Sequence, residues 1–194
     1  MDWSIIGSGI LGSLVGAIVA IVSVYYSHNL NMKKEENAHA SALLNYKQAL
    51  YDELDVFWKA YRQGIGNKIS IASEEFILNE FYPEIITPFA IYEGNVGFLG
   101  KIKESDLRRL TVKAYSEIKA LLAQLSLHNK LLVKYEEAHW KNIENSNEYM
   151  QAKFEGMRNS VYASTRILVS LHKESESSLD ALLREFNKHG VLSS

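Results

Sequence analysis

Trp3-Ser4-Ile5-Ile6-Gly7-Ser8-Gly9-Ile10-Leu11-Gly12-Ser13-Leu14-Val15-Gly16-Ala17-Ile18-Val19-Ala20-Ile21-Val22-Ser23-Val24-Tyr25-Tyr26 runs for roughly two dozen residues without a charged side chain. A hydrocarbon core about 30 Å thick takes about 20 apolar residues at a rise of about 1.5 Å each, so the stretch has the length of one membrane-spanning helix. Trp3 at one end and Tyr25 with Tyr26 at the other stand where interfacial aromatics sit. A cleaved signal peptide has a basic leader, a shorter apolar run and a small-x-small cleavage site. Here the leader Met1-Asp2 is acidic, the run is longer, and no Ala-x-Ala follows it. A buried core helix is usually shorter and seldom so free of polar side chains. The expectation is a single transmembrane anchor within residues 1–30.

Working outward, the C-terminal flank carries Lys33 and Lys34, whereas the N-terminal flank carries only Asp2 and the α-amino group. Basic flanks stay cytoplasmic and acids such as Glu35 and Glu36 count for little, so the N-terminus is expected outside and the remainder inside the inner membrane. Lys33 and Lys34 are placed to meet lipid headgroups. Within the span, Ser8, Gly12, Gly16 and Ala20 recur every four positions, with Gly9, Ser13 and Ala17 as a second row beside them. Small-xxx-small spacing lets two helices approach closely in lipid, which predicts a homo-oligomer formed through this face.

The 194 residues leave enough chain after the anchor for one domain with its own core. A net charge of −2 provides no basic field, so nucleic acid is not an expected partner. Cysteine is absent, which excludes disulfides, thiolate metal sites and a cysteine nucleophile. The two prolines, Pro83 and Pro88, lie close together, and elsewhere the chain is free to be helical. Leu43, Tyr46, Leu50, Leu54, Phe57 and Tyr61 recur at helical spacing, in a pattern that Gly64, Gly66 and Asn67 are expected to end. A second ladder follows a Ser105–Asp106 cap: Leu107, Leu110, Ala114, Ile118, Leu121, Leu125 and Leu132. A third comprises Met150, Phe154, Met157, Val161, Leu168, Leu171, Leu179, Leu182 and Phe186, with a kink or short break expected at Lys173–Ser178 and a stop at His189-Gly190. The fold class that results is all-α: a single N-terminal transmembrane helix continuing into an antiparallel helical bundle over 31–194. An irregular insertion at 64–104 is expected to contain a short extended piece at Lys68–Ala72, a helix at Glu74–Phe81 capped by Ser73, and a packed loop rich in glycine.

That loop reads Ile91-Tyr92-Glu93-Gly94-Asn95-Val96-Gly97-Phe98-Leu99-Gly100, preceded by proline and followed by a capped helix. Over residues 83–125, and in overall layout, it resembles small bacterial proteins of unknown function. Those proteins pair one N-terminal membrane helix with a helical cytoplasmic region, and some occur in prophage-like neighbourhoods. The resemblance implies the architecture and carries no activity with it. Ordered loops on rigid scaffolds often carry function, which makes Tyr92, Asn95, Phe98 and Leu99 the candidate surface for a protein partner.

Chemistry is sparser. Two Glu-x-x-His pairs, Glu36 with His39 and Glu136 with His139, have the spacing found in di-iron bundles. Such sites also need a glutamate from each of two further helices, and none can be placed, so the expectation is no metal and no cofactor. His128 and His172 lie on apolar ladders, where a lone histidine is usually a hydrogen-bonded core residue. No Gly-x-Ser-x-Gly elbow, phosphate loop or triad is present, and no catalytic residue is assigned. Lys101, Lys103, Arg108 and Arg109 form a basic cluster offset by Glu104 and Asp106, which reads as a solvated rim. The function expected is that of a non-enzymatic, membrane-anchored scaffold that self-associates. The alternative is a membrane-acting effector of the phage-exclusion or toxin kind, whose assembled spans perturb the bilayer.

Overall fold

The computed structural model describes residues 3–72, 77–83, 89–145 and 147–191, with side chains from residue 22 onward. It is all-helical, and no strand occurs among the described residues. Helix α1 spans Trp3–Tyr61 and passes into a π-helical turn, Arg62–Gly66, then α2, Asn67–Ile71. Two single-turn helices follow, α3 (Ala90–Gly94) and α4 (Val96–Leu99), before the long helices α5 (Ser105–Glu144) and α6 (Glu148–Lys188). The chain divides into two compact units, Met1–Asn45 and Tyr46–Ser194.

The first unit is the N-terminal part of α1. Every side chain from residue 22 to 41 is exposed, Tyr25, Tyr26, Leu30 and Met32 among them. The side chains of Ser8, Gly9, Gly12, Ser13, Gly16, Ala17 and Ala20 lie outside those described. Among the described residues no helix is long and apolar enough to cross a membrane. The expected span therefore rests on its sequence.

The second unit is a helical bundle built from the three apolar ladders. Tyr46, Leu50, Leu54, Phe57 and Tyr61 of α1 are buried, as are Leu107, Ala114, Ile118, Leu121, Leu125 and Leu132 of α5 and Val161, Leu168, Leu179, Leu182 and Phe186 of α6. Each buried valine, leucine, isoleucine or phenylalanine among them contributes roughly 1.5–3 kcal/mol on leaving water. Helices α5 and α6 run antiparallel: His128 meets Ser164 at 3.0 Å, and Tyr135 stacks on Phe154 with centroids 5.4 Å apart. The segment of α1 from Tyr46 runs antiparallel to α6, with Tyr51 against Phe186 and Tyr61 against His172. It runs parallel to α5, because Lys47 pairs with Glu104 and Glu53 with Tyr115. Residues 62–104 are the crossover that makes this parallel neighbour possible. Asn147 caps α6 through its side chain, which accepts from Met150 N–H at 2.9 Å. Gly190, at φ 67°, ends α6 as expected, in a left-handed conformation that suits glycine, and Val191 N–H closes on Phe186 O at 3.1 Å.

Several local expectations are corrected. The stop expected at Gly64 is present, since α1 ends at Tyr61 and the chain kinks at Gly64 (φ −79°, ψ −106°), but helix resumes directly after it. Asn67 N–H reaches back to Arg62 O, and helical structure continues through Lys68–Ile71 where an extended piece was expected. Gly66 is required here because a Cβ would stand 2.7 Å from Tyr61 Cε1 and 3.1 Å from Tyr61 O. The helix expected over Glu74–Phe81 is absent at 77–81, where side chains of α5 and α6 take the backbone groups that a helix would pair internally. Ser105 is the first residue of α5 and not its cap. Glu104 precedes it in extended conformation, and its carbonyl accepts from Arg108 N–H at 3.0 Å. Helix α6 runs without a break through Lys173–Ser178, and Ser175 and Ser178 are buried where small side chains are required on the inward face.

These contacts set a pair of opposite substitutions. Gly66→Ala is expected to destabilise the bundle by about 1–3 kcal/mol, since the methyl must displace the Tyr61 ring and backbone. Gly156→Ala, at a helical position with open space around the added carbon, is expected to stabilise by about 0.5–1 kcal/mol. Urea midpoints of the two variants, read by far-UV circular dichroism, check both signs.

Candidate functional site

Glu53 interrupts the apolar stripe of α1 between Leu50 and Leu54. Its Oε1 accepts from Ile91 N–H at 2.6 Å and its Oε2 from Tyr92 N–H at 3.2 Å. These are leading amides of α3, which have no partner within the helix, and a carboxylate is favoured there by the aligned peptide dipoles. Tyr115 of α5 donates its hydroxyl to Glu53 Oε2 at 2.8 Å. One carboxylate thus ties α1, α3 and α5 together.

The candidate partner residues pack onto this clamp. Tyr92 stacks on Tyr115 with centroids 4.0 Å apart and planes at 11°, and Phe89 meets both Tyr115 and Phe57 edge-on. Asn95 Nδ2 donates to Ile91 O at 3.1 Å, bridging α3 to the turn before α4. Phe98 tilts against Tyr46 at 5.5 Å, with Lys101 Nζ 4.7 Å above its ring, and Leu99 is buried. Tyr92, Asn95 and Phe98 are half-buried. The outward face of the segment is Glu93, paired with Lys119 at 2.6 Å, and Val96, which is 57% exposed. Burial, then the neighbouring Tyr92 and Glu53, push the Tyr46 phenol up to about 12. Burial and the Glu53 carboxylate push Tyr115 up as well, so both phenols are neutral.

Beside α3 lies a groove of about 580 Å³ lined by Ala49, Asp52, Glu53, Val56, Ala60 and Ile91. The small Ala49 and Ala60 leave the room, and Val56 is 68% exposed. A second tie lies at the start of the unit. Lys47 Nζ donates to both carboxylate oxygens of Glu104 at 2.9 Å, and that bond holds the Glu104 carboxyl below the usual carboxylate range.

His128 and His172 are hydrogen-bonded core residues, as expected. His128 Nε2–H donates to Leu78 O at 2.7 Å, which leaves Nδ1 to accept from the Ser164 hydroxyl at 3.0 Å. Ser164 in turn accepts from Gln124 Nε2 at 2.9 Å. His172 Nδ1 lies 2.9 Å from the Tyr61 hydroxyl, under the Trp58 ring. Burial lowers the pKa of both imidazoles. The bond to the Leu78 carbonyl opposes that shift at His128, and Glu176 opposes it at His172, where Arg62 and Lys173 reinforce it. Glu36, His39, Glu136 and His139 are all exposed, and among the described residues no group of three or more acids and histidines could hold a metal. Arg108 donates to Ile102 O, Arg109 pairs with Asp106 and Lys101 lies over the Phe98 ring, so most of the basic cluster serves local structure. Lys33 and Lys34 are exposed.

Glu53 was missed in the sequence. Its signal is an acid one turn from Leu50 and Phe57 on a stripe that is otherwise apolar. Tyr115, adjacent to Ala114 on the α5 ladder, was missed with it.

Glu53→Ala is expected to cost about 3 kcal/mol or more, since it strips three donors of a charged acceptor at once. Glu53→Gln should cost less, and urea midpoints of the two variants test the order. The histidines give a pH dependence of definite sign. Their native pKa values lie below the ordinary 6.5, so the unfolded chain binds more protons than the native one as pH falls below about 6.5. Stability from this source is complete above that pH and declines below it. Urea midpoints at about pH 7.5 and about pH 5.5 are expected to fall in that order, and less steeply in His128→Gln.

Compared with models of protein families, with curated proteins and with solved structures, the chain matches none.

Proposed function

We propose that this chain is a membrane-anchored interaction module of the inner membrane, non-enzymatic, with the bundle on the cytoplasmic side. The anchor is the uncharged stretch Trp3–Tyr26, with Lys33 and Lys34 against the headgroups. Confining the bundle to a surface raises its effective concentration for any partner held there. The partner surface is the groove lined by Val56, Ala60 and Ile91 together with the outer face of residues 90–99. Tyr92, Asn95, Phe98 and Leu99 hold that face in place from beneath. The observation that carries the reading is this pairing of an open, largely apolar groove with a neighbouring segment that Glu53 clamps to the scaffold. Such a surface suits the apolar face of a partner helix.

A second reading follows from the staggered small residues, Ser8, Gly12, Gly16 and Ala20 beside Gly9, Ser13 and Ala17. Spans assembled through that face act on the bilayer themselves, and the chain is then a phage-exclusion or toxin-like effector.

Crosslinking of the full-length chain in native membranes, with mass spectrometry of the products, separates the two. The interaction module is expected to fractionate with membranes and to capture a second protein that Val56→Arg with Ala60→Arg releases without lowering the melting temperature. Recovery in the soluble fraction would sink both readings. Capture of itself alone, lost in Gly12→Leu with Gly16→Leu together with any depolarisation of the expressing cells, would replace the module by the effector.

A further inference from the structure

His128 and His172 are both buried, but they answer an added proton differently. The Tyr61 hydroxyl, 2.9 Å from His172 Nδ1, is the donor of that bond while the ring is neutral. Once the ring is protonated, Nδ1–H donates and the phenol oxygen accepts, so the contact survives. Burial disfavours a charge there, yet Glu176 favours it, against Arg62 and Lys173. His128 has no such reserve. It is fully buried, with Nε2–H donating to Leu78 O at 2.7 Å and Nδ1 accepting from the Ser164 hydroxyl at 3.0 Å. The Ser164 oxygen already accepts from Gln124 Nε2 at 2.9 Å, so it can take a second N–H only by turning its own hydrogen away. The charged groups of the surrounding elements stand at the surface: Lys130 on α5, Arg166 on α6, and Lys68 of α2 paired with Glu80 of the crossover. Burial also pushes up the Tyr82 phenol of the crossover, which stays neutral. A proton on Nδ1 therefore adds a charge that no carboxylate meets, in a place where burial opposes it.

We propose that the bond between His128 and the Leu78 carbonyl is an acid-sensitive latch: protonation of His128 frees residues 77–83 from α5 and α6 while the long helices stay packed. The charged imidazole is accommodated by turning to water, and the turn surrenders the Leu78 carbonyl. What remains of the clamp is Thr165, whose bond to Leu78 N–H is long at 3.3 Å, and the pair that Asn129 makes with the main chain of Tyr82. The helices do not share this dependence. Leu121, Leu125 and Leu132 of α5 and Val161 and Leu168 of α6 are buried by apolar packing that no proton alters. The sign follows from linkage. Latched, the imidazole resists its proton; freed, it has an ordinary pKa near 6.5. The latched form is thus complete above about pH 6.5 and declines below it, the opening equilibrium rising by up to about tenfold per pH unit. Histidine suits such a device because its charge changes in this range. The response is local, one segment moving on a bundle that stays folded, and it does not depend on the groove beside α3.

The chain has no cysteine, so introduced cysteines carry spin labels at chosen sites. Asn79→Cys with Tyr149→Cys reports the crossover against α6, and Val112→Cys with Tyr149→Cys reports α5 against α6; all three positions are exposed. Double electron–electron resonance on the full chain in detergent is expected to give one distance for each pair at about pH 7.5. At about pH 5 the Asn79 pair is expected to gain a broad second population, about tenfold or more above its level at the higher pH. The Val112 pair and the far-UV circular dichroism are expected to stay unchanged. The new population should rise with the same midpoint as the His128 imidazole in a proton NMR titration. It should vanish in Ser164→Asp, whose carboxylate accepts from the protonated Nδ1 and keeps the charged ring in place. Absence of the second population down to about pH 4.5 overturns the proposal. So does a change in both pairs together, which is global unfolding, or a second population that persists in His128→Gln. The midpoint comparison needs no substitution in the core, and a midpoint away from that of His128 overturns the proposal even where Ser164→Asp and His128→Gln do not fold.

Discussion

The bundle depends on finding partners for the backbone of its crossover. A chain that leaves α1 at one end and must enter α5 parallel to it has to run back across the molecule. Wherever that return is not helical, its N–H and C=O groups have no internal partner, and each one left bare in the interior costs about 1–3 kcal/mol. The described part of the return solves this with side chains from the long helices. Glu53 takes the leading amides of α3, Thr165 and His128 take the two groups of Leu78, and Asn129 takes those of Tyr82. Polar residues that interrupt the inward stripes of α1, α5 and α6 are therefore the acceptors and donors on which the crossover is laid.

Apolar packing and this polar laying are coupled through tyrosine. Tyr115 presents its ring to Tyr92 and Phe89 while its hydroxyl donates to Glu53. Tyr61 is packed by Phe57, Trp58 and Tyr82 while its hydroxyl meets His172. A phenol suits both positions because its ring fills the wide gap between α1 and its neighbours and its single polar atom reaches one fixed partner. Gly66 belongs to the same arrangement, since it is the absence of its Cβ that lets the chain turn over the Tyr61 ring. Burial holds the Tyr46, Tyr61 and Tyr115 phenols above their ordinary pKa and the His128 and His172 imidazoles below theirs.

The long helices were legible because their ladders repeat over many turns, so a single misread position changes little. Leu107 to Leu132 and Val161 to Phe186 announced α5, α6 and their inward faces, and Gly190 announced the stop. The crossover was not legible, for a physical reason. Lys68–Ile71 and residues 77–83 are too short to show a period, and their conformation is decided by residues far off in the chain. Leu78 lies outside any helix because His128 and Thr165 take its polar groups, not because of its neighbours. Glu53 and Asn129 were passed over because an acid or an amide beside an apolar ladder looks like the ladder's edge. His128 was placed in the core by its position alone, but its partner at Leu78 could not be read.

The way the crossover is held also fixes what it tolerates. Bonds to the main chain are indifferent to the side chains at Asn79, Glu80 and Phe81, all of which face solvent. They are not indifferent to length. Leu78 meets His128 and Thr165, and Tyr82 meets Asn129 on the next position of α5, so the spacing between the two clamped residues is set by the two clamps. One residue added between them would bring a different amide to Asn129 and swing Leu78 or Tyr82 out of its place. The constraint acts on register and on two anchors, Leu78 and Tyr82, while composition in between is left open.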